Sequence, residues 1–144
     1  MKRYRLILLI LALTISPFVF TNCNRSLGEK LNDKDSPGIN FQLFREKFES
    51  NQNLQVLDTR TLDEYKSGHI PGALILPVQD LESSKDVSST LSEFNKDEEI
   101  YIYCTAGGPR SQRATHILRT LGFIKAYFVE GGIAKWIATG NPLE

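Results

Sequence analysis

Residues 100–111 read Ile100-Tyr101-Ile102-Tyr103-Cys104-Thr105-Ala106-Gly107-Gly108-Pro109-Arg110-Ser111. The first four are β-branched or aromatic, the pattern of a buried central strand in a sheet covered by helices. The run stops at a cysteine, and the adjacent glycines after it free the backbone to curl. Ala114, Ile117, Leu118 and Leu121 then fall at i, i+3, i+4 and i+7, one apolar helical face, with Gly122 where a left-handed C-terminal cap belongs. A strand running through a tight loop into a helix is half of a parallel crossover. In such sheets chemistry gathers beyond the carboxyl ends of the strands, where Cys104 falls.

The alternation extends in both directions. Asn40 can cap a helix whose Phe41, Phe44 and Phe48 share one face with Leu43 beside it. Residues 54–57 form a strand ending in Asp58, residues 61–67 one or two helical turns stopped by Gly68, and residues 73–76 a strand ended by Pro77. Residues 81–94 read as one weak helix, rich in serine and interrupted at Val87, Ser88 and Ser89. Residues 126–129 are the last strand, and Ile133, Trp136 and Ile137 mark a final short amphipathic helix. Tyr101, Tyr103 and Trp136 are expected in or near the core. Together these imply a single α/β domain over residues 38–144, a mostly parallel central sheet with helices on both faces.

Composition bounds the rest. The chain has 144 residues, 41% hydrophobic, enough for one well-cored domain. Its 17 basic and 17 acidic residues leave no global basic field, which argues against nucleic acid as a partner. Two cysteines can build neither a disulfide scaffold nor, by themselves, a zinc site. With two histidines and no Cys-x-x-Cys, neither a metal nor another cofactor is expected.

The front of the chain has a different character. Lys2, Arg3 and Arg5 precede a fifteen-residue apolar stretch, residues 6–20. That stretch spans roughly 22 Å as a helix against a hydrocarbon core of about 30 Å, so residues 1–22 read as an export signal rather than a membrane span. Phe20-Thr21-Asn22-Cys23 resembles a bacterial lipobox, although Phe20 and Asn22 stand where leucine and a small residue are usual. The resemblance implies a lipid on Cys23 and a location in the cell envelope. Without the three cations of the signal, 14 basic residues face 17 acidic ones, a formal net of −3. Residues 23–37 are mostly polar and read as a tether, of which the stretch from Asn24 to Pro37 could reach about 45 Å when extended.

The loop after Cys104 is an anion cradle. Its N–H groups can turn inward, the following helix adds its positive end, and Arg110 adds a full charge. Arg110 is therefore expected to favour the Cys104 thiolate and lower its pKa. Thr105, Ala106, Gly107, Gly108, Arg110 and Ser111 are the candidate substrate-binding residues around that nucleophile.

Three further stretches complete a resemblance. Asp58-Thr59-Arg60, then Glu64-Tyr65 and Gly68-His69-Ile70-Pro71-Gly72-Ala73, and finally Glu130-Gly131-Gly132-Ile133-Ala134-Lys135-Trp136 with Gly140-Asn141-Pro142, are similar to the signatures of rhodanese-like domains. The resemblance implies a sulfurtransferase. Cys104 would take a sulfane sulfur from a small sulfur-containing anion such as thiosulfate, or from a persulfide, and pass it to cyanide or a thiol. It also implies that Asp58, Arg60, Glu64 and His69 brace the loops, and a monomer is expected. Sulfurtransferases of this family usually have one residue fewer between the cysteine and the arginine. The five found here match the related phosphatases and arsenate reductases, although those commonly carry histidine where this chain has Tyr103. Oxyanion chemistry, and a binding or sulfur-carrier module without turnover, stay open as alternatives.

Overall fold

A computed structural model describes residues 36–83 and 87–144. In chain order the elements are β1 (Gly38–Ile39), α1 (Phe41–Ser50), β2 (Gln55–Asp58), α2 (Leu62–Lys66), β3 (Leu74–Ile75), α3 (Val78–Ser83), α4 (Val87–Ser92), β4 (Ile100–Tyr103), α5 (Pro109–Thr120), β5 (Ala126–Val129) and α6 (Gly132–Ala138). The strands form one parallel sheet in the order β1-β5-β4-β2-β3. The expected α/β architecture, a single domain on a parallel sheet, is therefore present.

Alternation along β4 divides the core. Tyr101 and Tyr103 pack with Phe41, Phe44, Val56, Ile133 and Trp136 on one face. Ile100 and Ile102 pack with Leu57, Leu81, Ala114, Leu118 and Phe123 on the other. All four β4 residues are buried, which is why the segment carries no polar position. Register sets the site: Asp58 at the end of β2 pairs with Tyr103 at the end of β4, so the residues that follow both strands emerge side by side.

Several expectations need correction. The strand β1 escaped notice because two residues are too short to show alternation. It is held by Phe128 N–H donating to the Pro37 carbonyl and Glu130 N–H to that of Ile39, both 3.1 Å. Within the helix expected over residues 81–94, α3 begins earlier, at Val78, where Val78 and Leu81 supply the buried face, and Val87, Ser88 and Ser89, read as an interruption, are instead the helical start of α4. Leu43, Leu121 and Ile137, read as parts of apolar faces, are exposed. Within the stretch read as a tether, the Ser36 hydroxyl donates to the Gln112 carbonyl at 2.9 Å and the Pro37 carbonyl accepts from Phe128 N–H. The export signal and Cys23 lie outside the described residues.

Candidate active site

The Cys104 side chain is 3% exposed, at the end of β4 and under the first turn of α5. Pro109 opens that helix at a position where its missing N–H costs nothing. Ser111 lies within the same turn, with its hydroxyl 3.3 Å from the Cys104 sulfur and donating to the Gly108 carbonyl at 3.1 Å. Burial pushes the thiol pKa up. The Ser111 hydroxyl and the backbone N–H groups of Ser111, Ala106 and Gly108 outweigh that cost, and the thiol ends below its ordinary value. These backbone and hydroxyl dipoles lead the effect, and the Arg110 charge adds an electrostatic attraction to the sulfur.

Arg110 is occupied elsewhere. Its guanidinium makes a two-pronged pair with Glu64, Nη1 to Oε2 at 2.8 Å and Nη2 to Oε1 at 3.1 Å. Nη2 also donates to Thr105 Oγ1 at 2.6 Å, and the Thr105 hydroxyl donates to Glu64 Oε1 at 3.1 Å. Glu64 is itself fixed by α2: its Oε2 accepts from Thr61 N–H at 2.9 Å, and its N–H donates to Thr61 Oγ1 at 3.3 Å, a reciprocal cap. The hydrogen bond from Arg110 is the largest influence on the Glu64 carboxyl, which is held well below the usual carboxylate range against the opposing cost of burial. The pair in turn raises the Arg110 pKa.

The loop is also held from outside. The first turn of α6 donates Ile133 N–H to the Cys104 carbonyl at 3.0 Å and Ala134 N–H to the Thr105 carbonyl at 2.9 Å. Gly107 (φ +67°) and Gly132 (φ +52°) make this approach feasible. A Cβ on Gly107 would fall on the Val129 carbonyl oxygen and 2.6 Å from Gly131 N, and one on Gly132 would fall on the Cys104 carbonyl oxygen. Sequence reasoning missed this clamp. Its only signal was a glycine pair, Gly131-Gly132, at a helix start.

Asp58 ends β2 and Arg60 follows it by two residues. Both are buried, and Arg60 donates to the Asp58 carboxylate through Nε at 3.0 and 3.1 Å and Nη2 at 2.7 Å. Arg60 Nη2 reaches on to the Gly68 carbonyl at 2.8 Å, and the guanidinium lies 5.7 Å from the centre of the Tyr103 ring. The Tyr103 hydroxyl accepts from Ile70 N–H at 3.1 Å, tying the turn after α2 to β4. Burial drives the Tyr103 pKa far upward, with Asp58 adding to the effect. Thr59, not singled out in the sequence, donates its hydroxyl to the Tyr103 carbonyl at 2.9 Å. His69 is stacked on Tyr65, ring centroids 3.7 Å apart, with Nδ1 3.2 Å from the Tyr65 carbonyl. Glu144 exchanges two 3.0 Å backbone hydrogen bonds with His69. A groove of about 260 Å³, lined by Val78, Glu82, Pro109, Arg110 and Arg113, runs beside the loop.

The arrangement can hold an ionised sulfur nucleophile among inward-facing N–H groups. The YrkF protein of Bacillus subtilis, by its name a proposed sulfur carrier, is 33% identical over 105 residues, 73% of this chain and 53% of YrkF. The tRNA uridine(34) hydroxylase of Cronobacter sakazakii is 34% identical over 80 residues, 56% of this chain and 23% of that protein. The chain thus spans about half of one relative and a quarter of the other. Among solved structures, the human single-domain sulfurtransferase TSTD1 superposes with a TM-score of 0.61 at 26% identity, over 73% of this chain and 98% of that one. The family model for the rhodanese-like domain matches residues 41–139, which include the Asp58 motif, the Cys104 loop and the α6 clamp, and the chain belongs to that family.

Proposed function

We propose that the protein is a sulfurtransferase that carries sulfur as a persulfide on Cys104. The observation that carries this reading is a buried thiol held below its ordinary pKa by dipoles converging from one loop and one helix start. With thiosulfate, the Cys104 thiolate attacks the sulfane sulfur, the S–S bond breaks, and sulfite leaves with its electron pair. A thiolate or cyanide then attacks the outer sulfur of the persulfide and restores the Cys104 thiolate. Loop N–H groups stabilise the negative sulfur in both steps. Oxyanion chemistry would need the fork of Arg110, which Glu64 fills. The lipid on Cys23 and the envelope location remain part of the proposal on sequence grounds, tested by palmitate labelling lost in Cys23→Ala.

The deciding experiment is mass spectrometry of the full-length, detergent-solubilised chain after treatment with sulfane donors. The expected result is a gain of one sulfur on the peptide containing Cys104, discharged by cyanide and absent in Cys104→Ser. No adduct with any donor refutes the mechanism. Loading without turnover would instead leave a sulfur carrier.

A further inference from the structure

Resting on the sulfur-transfer reading, we propose that Glu64 is a specificity determinant that turns the Cys104 loop away from dianionic oxyanion donors and towards thiol persulfides. The basis is a closed ring at the loop mouth: Glu64 grips the guanidinium of Arg110 by both carboxylate oxygens, and Thr105 bridges the two. Such a fork is the group that would otherwise receive two oxygens of a sulfonate, phosphate or arsenate. Here an internal carboxylate already occupies it.

Glu64 cannot be displaced cheaply. Its Oε2 also accepts from the N–H and the hydroxyl of Thr61, at 2.9 and 3.0 Å, so swinging it away from Arg110 would undo the cap of α2. The charges at the mouth therefore cancel before any donor arrives. Arg113, the next cation along the groove, is paired with Glu82 at 2.9 Å. A dianion would meet the Cys104 thiolate and the Glu64 carboxylate with the Arg110 charge already spent.

A persulfide avoids that conflict. The Cys104 thiolate attacks the outer sulfur of R–S–SH, and the S–S bond breaks. The outer sulfur, with its hydrogen, becomes bonded to Cys104, and R–S⁻ leaves with the electron pair. One negative charge stands on each side, and no oxidant or reductant is needed. The leaving thiolate keeps its charge on a group outside the loop, whereas sulfite would leave from within it with two charges, beside an Arg110 already paired with Glu64.

The test compares kcat/KM for thiosulfate and for glutathione persulfide, with cyanide as acceptor, in the full-length protein and in Glu64→Gln. Glutamine retains an oxygen for the Thr61 N–H but removes the charge. The expected outcome is a rise of roughly tenfold or more for thiosulfate, through KM, with a much smaller change for the persulfide. Equal changes for both donors, or a fall for thiosulfate, overturn the inference while leaving sulfur transfer intact. Failure of both donors to load wild-type Cys104 would refute the underlying reading as well. Should Glu64→Gln not fold, sulfate decides on the wild type: persulfide loading indifferent to millimolar sulfate supports the inference, and competitive inhibition overturns it.

Discussion

At 3.3 Å, the Ser111 hydroxyl is the nearest side-chain lever on the Cys104 sulfur. While the thiol is protonated this hydroxyl donates to the Gly108 carbonyl, and on ionisation it can turn its hydrogen to the sulfur. A donor available only to the charged form lowers the pKa. Ser111→Ala should therefore move the midpoint of Cys104 alkylation by iodoacetamide to higher pH. Below that midpoint the variant reacts more slowly than wild type, and well above it the two converge. Arg110→Gln should shift the midpoint much less, because the guanidinium is engaged by Glu64 and Thr105 and acts on the sulfur only through the weaker attraction of its charge. Measured rates that move with Arg110 and not with Ser111 would reverse this assignment. The cysteine itself was legible from its place between a buried strand and a glycine loop. The inward N–H groups were legible too, but the part played by the Ser111 hydroxyl was not, because a charge is visible in a sequence and the direction of a hydroxyl is not.

Helix α6 clamps the loop through carbonyls, which leaves the loop N–H groups free to face the sulfur. The clamp separates two adjacent glycines that read identically in the sequence. Gly107 has positive φ and touches backbone on its bare side, whereas Gly108 has φ −96° and nothing within 4 Å of where a Cβ would stand. Gly107→Ala should cost about 2 kcal/mol or more in urea unfolding, combining left-handed strain with displaced backbone. Gly108→Ala should stay within about 0.5 kcal/mol. Equal losses would show that the clamp tolerates a side chain. Elements with long periodic faces, α1 and α5, were legible for the same reason that they are stable: each repeats a buried position over several turns. β1 lacks any such repeat and exists because β5 offers it hydrogen bonds.

Across the whole molecule, the residues after β2 and β4 meet over one buried ion pair, Asp58 with Arg60. The chemistry above depends on it, since Arg60 also holds Gly68 and lies against Tyr103, the residue that precedes the nucleophile. The motif containing this pair was legible, and its partners were not, because Gly68 and Tyr103 reach Arg60 only after the sheet has brought distant segments together. Burial works against the Arg60 charge, yet Asp58 more than offsets it and raises the Arg60 pKa. Removing either partner alone strands the other charge in a dry interior, a loss of about 3–5 kcal/mol. A domain of this size has a total stability of only roughly 5–15 kcal/mol. Asp58→Leu and Arg60→Met should each bring the protein close to unfolding, whereas the double variant no longer buries an unpaired charge. Its loss should fall short of the sum of the two by about 2 kcal/mol or more, read as a coupling energy from urea midpoints. Additive losses would mean that the pair stabilises through separate contacts, Arg60 through Gly68 and Asp58 through the Arg60 backbone N–H, which accepts no help from the opposite charge.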